Sequence, residues 1–358
     1  MQTKMFENAS IDKSTITMVA DYVSLSLREL NFVSFSGGKD STTVLQIVLS
    51  EFIKYGHGRL YIMTADTMME IPYFQTYVDG VRGRLIRYIE SSGINAEVVT
   101  VRPSAKNSFW VSVLGKGYPA SSMGFRWCTG RLKIEPLDNF VKAATCGNDY
   151  MVFVGVRSAE SKLRAKIYKR KDYKPHHYAP ILEWSSHDVW EYLLTEPCPW
   201  GDDHADLIKV YRFSSDECVY GESAGVCIGN ARYGCWACPL QKSSQLDMVG
   251  HNTNDLVRYQ KLKQFKENLV RLASDRNCRS RIRRNGDEGT GPFLVDIRKK
   301  LFSDLKRVES ETGWNLIAEK EEIYIKEHWE VDSEIHNQAA SDTLCEPLFK
   351  YLKEENRD

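Results

Sequence analysis

Cys218, Cys227, Cys235 and Cys238 stand in the pattern C-x8-C-x7-C-x2-C, with Gly221, Gly225, Gly229 and Gly234 loosening the backbone between them. The final C-x2-C puts two sulfurs on one loop at the spacing of metal and cluster ligands. Such a set of thiolates suits a 4Fe-4S cluster or an all-cysteine Zn2+ site. Structural zinc commonly pairs two C-x2-C knuckles and this stretch has one, so spacing alone leaves iron and zinc both open. Cys128 lies close to Arg126, Arg131 and Lys133 in the chain. Cations beside a cysteine favour the thiolate and can neutralise phosphates. Cys128 therefore competes as a fourth ligand, in which case Cys218 drops out; it is also a candidate sulfur carrier. Cys146, Cys198, Cys278 and Cys345 lack partners at ligand spacing and read as structural.

A second chemistry is written in Ser36-Gly37-Gly38-Lys39-Asp40-Ser41. The two glycines let backbone approach an anion, and the loop amides can line a concave nest. A helix that starts here adds partial positive charge, Lys39 adds a full one, and both serines offer hydroxyls. The loop is neither a Walker A sequence nor G-x-G-x-x-G. The bland alternative is a Gly-Gly turn ahead of a helix.

The elements that must hold these residues alternate. Residues 31–36 read as a buried strand, followed by the loop and a helix over 40–55, where Val44, Leu45, Val48, Leu49 and Phe52 recur at helical spacing. Further strands are expected at 60–64, 96–101 and 150–156, and further helices at 72–91, opened by Pro72, and at 131–145. This alternation predicts an α/β fold with a parallel, twisted sheet covered by helices on both faces, and the phosphate loop at a strand's carboxyl end. Short segments rich in Trp, Cys, Gly and Pro fill 180–239, and helices are expected at 252–275, 292–312 and 319–330, with the polar residues from Asp332 fraying. The division drawn from this is 1–175 for the nucleotide-binding α/β domain, 176–250 for a continuation with the Cys-rich loop, and 251–358 for a helical C-terminal region.

The chain of 358 residues carries 48 basic and 48 acidic side chains, so its formal charge is zero. With 42% hydrophobic and 27% charged residues it has the makings of a sizeable core, which excludes a disordered chain, a collagen or a small disulfide scaffold. Zero net charge argues against a strongly basic nucleic-acid coat protein but leaves room for local patches. There is no apolar run of transmembrane length and no signal-peptide pattern at the start, which predicts a cytoplasmic protein without membrane contact. In that compartment the nine cysteines need a reason other than structural disulfides.

The hexapeptide resembles the PP-loop of the ATP pyrophosphatase superfamily. Gly155-Val156-Arg157, running on to Glu160 and Arg164, and the segment 180–193 resemble the phosphoadenosine phosphosulfate (PAPS) reductase branch of it, as does the Arg126–Lys133 stretch. Arg157 and Arg164 offer bidentate forks for phosphate, with Glu160 placed to orient one of them; a surface ion-pair network is the alternative. Trp184 and Trp190 read as core residues and Asp188 as a helix cap. Segments 108–119, 125–136 and 227–238 are similar to the DndC family of DNA phosphorothioation proteins and its single-strand counterpart SspD.

The resemblance implies an adenine nucleotide α-hydrolase-like fold and an enzyme that cleaves ATP between the α- and β-phosphates and adenylates an acceptor. Ser36, Gly37, Gly38, Lys39, Asp40 and Ser41 would hold the pyrophosphate, with Asp66, Gly155, Arg157 and Arg164 completing the ATP site and Asp66 helping to position Mg2+. Lys39, Asp40, Cys128 and Arg157 would carry the catalysis. Family resemblance favours a 4Fe-4S cluster on Cys218, Cys227, Cys235 and Cys238. The implied partners are a cysteine desulfurase as sulfur donor, other phosphorothioation proteins and DNA, whose backbone phosphate would be adenylated and then take up sulfur. For DNA contact the sequence offers a basic stretch from Lys162 to Lys174 and a second at Arg276, Arg279, Arg281, Arg283 and Arg284. The alternatives are a PAPS or adenylylsulfate reductase, although the tail around Cys345 lacks the Glu-Cys-Gly-X-His segment of true reductases, and a tRNA thiolation enzyme.

Overall fold

The computed structural model describes residues 11–122, 125–160, 175–214, 234–284 and 287–340. They gather into two compact units, each built from separate chain segments: 1–65, 72–101 and 137–233 in the first, and 66–71, 102–136 and 234–358 in the second.

In the first unit, Asp12 accepts the Ser14 N–H and opens helix α1 (Lys13–Ser26), for which no expectation was drawn from sequence. The alternating pattern then resolves into β1 (Leu30–Ser34), α2 (Lys39–Tyr55), β2 (Arg59–Ala65), α3 (Pro72–Ser92) and β3 (Ala96–Val101). Helix α4 (Glu135–Thr145), strand β4 (Tyr150–Phe153), a short β5 (His177–Tyr178), and helices α5 (Ser186–Thr195) and α6 (Ala205–Ser214) complete it. All strands run parallel in the order β3-β2-β1-β4-β5, with Val33 opposite both Ile62 and Phe153. Phe32 and Val33 are both 0% exposed. Successive strand residues face opposite ways, so the sheet is covered on both faces, as expected. On one face Phe32 stacks on Tyr61 at 5.1 Å and meets Phe140 of α4 edge-on.

Several elements differ from the sequence reading. The strand expected to reach residue 156 ends at Phe153, and β5 pairs where no strand was expected. The helix expected from Arg131 begins as a π-helical turn, Gly130–Ile134, that runs on into regular α4, with Pro136 just past the junction. The last helix runs ten residues past the expected end, to Ala340. Trp184 and Trp190 are buried as expected. At α5 the cap is Ser185, and Asp188 reciprocates from the third helical position to close a capping box.

The second unit is helical: α7 (Ser244–Asn252), α8 (Leu256–Ser274), α9 (Val295–Thr312) and α10 (Glu319–Ala340). Its core gathers Trp110, Trp236 and Phe265 with ring centroids 5.7–5.9 Å apart. The buried Trp110 indole donates to the Leu316 carbonyl at 2.7 Å, and the half-buried Trp329 indole to that of Leu114 at 2.7 Å. Among the described residues no helix is long and apolar enough to cross a membrane.

Candidate functional site

The strand order reverses at β1: β2 and β3 lie on one side and β4 and β5 on the other. The loops leaving β1 and β4 therefore face the crevice where open α/β sheets bind ligands. Ser36 to Ser41 occupies that point and is closed on itself. The Ser36 N–H donates to Ser41 Oγ at 3.1 Å, and the two hydroxyls lie 3.0 Å apart. Ser41 and Thr42 hydroxyls both donate to the Gly38 carbonyl, at 2.9 and 3.0 Å.

The two glycines of the loop do different work. Gly37 has φ +77°, and a Cβ there would come within 2.5 Å of Val78 Cγ2, so the fold itself requires glycine. Gly38, at φ −84° and ψ 159°, is the N-cap of α2, and no side chain caps that helix. A Cβ on Gly38 would meet only Tyr211 Oη at 3.4 Å and Ser36 Oγ at 3.7 Å, which are ordinary contacts. Nothing in the protein demands glycine there.

The β4 loop closes on the same helix start. Gly155 packs so tightly that a Cβ would reach the backbone of Asp40 and Ser41 at 2.8 Å. Arg157 is 5% exposed and its Nε donates to Asp40 Oδ1 at 2.6 Å. Lys39 is equally buried. Its backbone N–H donates to Tyr211 Oη at 3.1 Å and its ammonium stands 5.0 Å from the centre of the Tyr211 ring. Sequence reasoning missed Tyr211 altogether. It lies 172 positions from Lys39, and no motif marks it. The structure thus brings Ser36, Gly37, Gly38, Lys39, Asp40, Ser41, Gly155 and Arg157 together. The side chain of Glu160 and all of Arg164 lie outside the described residues.

The remaining site residues fall in the second unit. Asp66 follows β2 directly and is 7% exposed; one carboxylate oxygen accepts the Met68 N–H and the other accepts Arg102 Nε, both at 2.8 Å. Each oxygen keeps a lone pair, which is compatible with a cation contact. Cys235 and Cys238 sit on one turn, closed by the Cys238 N–H on the Cys235 carbonyl at 2.9 Å. The segment after Asp66 braces that turn. Cys235 bridges to Glu70, Thr67 Oγ1 lies 3.6 Å from Cys235 Sγ, and Trp236 N–H donates to Met69 O at 2.8 Å. Burial pushes the Cys235 thiol up to about 12, against a weaker opposing pull from the Lys133 cation. A thiol held neutral in this way becomes a thiolate only against a metal ion or another strong positive field.

The donor chemistry of the Cys235–Cys238 turn fits one edge of a thiolate-bound metal or cluster. Cys218 and Cys227 lie outside the described residues, and among those described no group of three or more ligands gathers. Cys128 is half-buried with its sulfur 2.9 Å from Ser121 Oγ. Of the cations expected around it, Arg131 lies over the Tyr118 ring at 4.9 Å and Lys133 acts on Cys235. Cys146, read as structural, is exposed, whereas Cys278 is buried and burial pushes Cys198 up to about 11.

The basic stretch from Lys162 to Lys174 lies outside the described residues. The second one divides. Arg279 turns inward onto the Gly291 carbonyl at 2.6 Å, and Arg284 onto the Lys116 carbonyl at 2.8 Å, so both serve the fold. Arg276, Arg281 and Arg283 are exposed.

Residues 30–202 match the model of the phosphoadenosine phosphosulfate reductase domain family. Two uncharacterized proteins of Methanocaldococcus jannaschii are similar in sequence. MJ0066 is 29% identical over 61% of this chain and MJ0973 is 25% identical over 66%; the matched parts span 38% and 48% of those proteins. Solved structures that align with this chain include PAPS reductase from Candida auris in a phosphate complex (12% identity, TM-score 0.30, 54% of this chain and 91% of that one). NH3-dependent NAD synthetase from Campylobacter jejuni aligns at 10% identity with TM-score 0.36, over 73% of this chain and 94% of that one. The U34-tRNA thiolase NcsA of Methanococcus maripaludis, solved with its 4Fe-4S cluster, aligns at 12% identity with TM-score 0.31, over 73% and 81%.

Proposed function

We propose that this chain is an ATP pyrophosphatase of the sulfurtransferase kind, which adenylates a DNA backbone phosphate so that sulfur can replace one of its non-bridging oxygens. The observation that carries the nucleotide part is Gly38. Its conformation and surroundings accept a larger residue, yet it stands at the start of α2 with no capping side chain, where the missing Cβ leaves room for a polyphosphate to approach the helix N-terminus. The match of residues 30–202 to the phosphoadenosine phosphosulfate reductase domain family supports the same reading.

In this proposal a non-bridging oxygen of the DNA phosphate attacks the α-phosphorus of ATP and pyrophosphate leaves. The loop and Lys39 stabilise its departing charge, and Arg157, fixed on Asp40, holds a further phosphate oxygen. Asp66 would help to hold Mg2+, which would supply positive charge to offset that of the departing pyrophosphate. Adenylation turns a poor leaving group into AMP. A sulfur nucleophile then attacks the activated phosphorus and AMP departs. If a persulfide on Cys128 is that nucleophile, a second thiol must then attack Cys128 Sγ, forming a disulfide and leaving the sulfur on phosphorus. Cys235 and Cys238 would hold a 4Fe-4S cluster with Cys218 and Cys227, with Zn2+ as the alternative. Such a cluster supplies a site for sulfur or electrons. A cysteine desulfurase and other phosphorothioation proteins are the proposed partners, in the cytoplasm.

The test is deletion of the gene in its host, followed by digestion of DNA and RNA to nucleotides and mass spectrometry. Loss of phosphorothioate linkages, restored by the wild-type gene but not by Lys39→Ala or Cys235→Ser, is the expected result. Unchanged DNA in a strain that carries phosphorothioates overturns the proposal. Loss of thiolated tRNA bases would move the acceptor to tRNA, and an intact nucleic-acid profile would direct attention to sulfite formation.

A further inference from the structure

We infer that Tyr211 is a positioning residue of the phosphate loop, which fixes the backbone of Lys39 and aims its ammonium at a bound polyphosphate. The inference rests on the proposed reading of this loop as the ATP site. A phenol is well suited to the task, because it offers both contacts that Lys39 needs. The hydroxyl accepts the Lys39 N–H at 3.1 Å, satisfying an amide that has no partner within the helix. The ring lies 5.0 Å from the ammonium, inside the range at which an aromatic face attracts a cation. A lysine side chain is long and has many rotamers; a ring against its ammonium selects among them before any ligand arrives.

Tyr211 is itself held. It is 4% exposed, and the Trp190 ring meets it edge-on at 5.0 Å. Helix α6, which carries it, is anchored at its start: Asp202 accepts the His204 N–H at 2.9 Å and Arg84 Nη2 at 2.8 Å, and Asp203 accepts the Ala205 N–H at 2.9 Å. The phosphate loop thus takes a constraint from a helix that belongs to no recognised part of its motif. The Tyr211 hydroxyl also rests against Gly38, where a Cβ would stand 3.4 Å away.

A role exercised through Lys39 predicts coupling, which a purely structural role does not. ATP and AMP binding would be measured by calorimetry on full-length wild type, Tyr211→Phe, Tyr211→Leu, Lys39→Met and the double variants. Tyr211→Leu removes both contacts and should weaken ATP about ten-fold; Tyr211→Phe keeps the ring and should weaken it about three-fold. AMP, which lacks the phosphates that Lys39 would meet, should change less than about two-fold. On the Lys39→Met background either substitution should add less than about two-fold. Melting temperatures identify variants that are unfolded. If Tyr211→Leu does not fold, the cycle is read from Tyr211→Phe. Additive losses, equal losses for AMP and ATP, or unchanged ATP affinity in a folded variant overturn the inference alone. A wild-type protein that binds no ATP overturns the reading of the site and the inference with it.

Discussion

In the phosphate loop, Ser36 and Ser41 bond to one another five positions apart, whereas Cys235 is braced by Thr67, 168 positions away. The first region closes its serine contacts within a hexapeptide and adds remote ones only at Lys39, on Tyr211, and at Asp40, on Arg157. The second is a two-cysteine turn whose support comes from a distant strip of chain at Thr67, Met69 and Glu70. Closing a long loop costs chain entropy that local contacts do not incur. A loop closed by its own side chains stands without a ligand, whereas a thiol turn held by remote contacts gains most from a ligand that ties its sulfurs together. The same contrast appears in the electrostatics. Arg157 and Asp40 meet as a charged pair already satisfied, while Cys235 is kept neutral by burial.

Breaking the pair tests the first half of this comparison most severely. The side chains of Arg157 and Asp40 are 6% and 13% exposed. Arg157→Met leaves a buried carboxylate without its partner, which should cost about 3–5 kcal/mol in urea denaturation. Adding Asp40→Asn should recover a large part of that loss, because the stranded charge disappears. A loss under about 1 kcal/mol would mean the pair is as weak as a surface bridge.

The cysteine turn has its own strong signature. The ordinary thiol value is 9.0 and that of folded Cys235 is about 12. At pH 8 the thiolate fraction, and with it the iodoacetamide rate of metal-free protein, should be far below that of the unfolded chain. A raised thiol stabilises the fold while it stays protonated. That contribution is whole below the unfolded value of 9.0 and is lost as the pH rises toward about 12. Alkylation as fast as in urea would show that the turn is not packed as described. A bound metal should protect Cys235 at every pH above its own acid release.

Gly37→Ala separates the scaffold of the loop from its ligand chemistry. The new methyl would have to move Val78 and hold a left-handed backbone, at about 2–4 kcal/mol of stability. Guanidinium denaturation would measure it, and a loss below about 1 kcal/mol would mean α3 yields to the methyl.

These differences in range explain how far the sequence could be read. Strands β1 to β4, helices α2 and α3 and the Ser36–Ser41 loop are patterns within short windows, and hydrophobic periodicity places the strands and helices to within a few residues. Helix α1, the two-residue β5 and the α6 side chain Tyr211 depend on tertiary partners that no local window contains. The spacing of Arg276 to Arg284 looks like one basic face, yet Arg279 and Arg284 spend their guanidinium groups on buried carbonyls. Charge is visible in a sequence; the direction in which a side chain turns is not.

The smallest change in stability should come from Gly38→Ala. At φ −84° and ψ 159° alanine fits without strain, and its methyl meets neighbours no closer than 3.4 Å. Two effects oppose each other. Alanine is a poorer N-cap than glycine, which costs a few tenths to about 1 kcal/mol. It also restricts the unfolded chain, which returns about 0.4–1 kcal/mol. The net should lie within about 0.5 kcal/mol, so the variant stays folded. Its methyl nevertheless fills space that a phosphate would need to reach the amides of α2, and ATP affinity should fall at least about ten-fold. Calorimetry of ATP against Gly38→Ala, beside a denaturation curve on the same preparation, makes the two glycines a matched pair. Gly37 should fail in the fold and Gly38 in the ligand. If Gly38→Ala binds ATP as the wild type does, the phosphates do not approach through this glycine, and the loop loses its strongest claim to hold them.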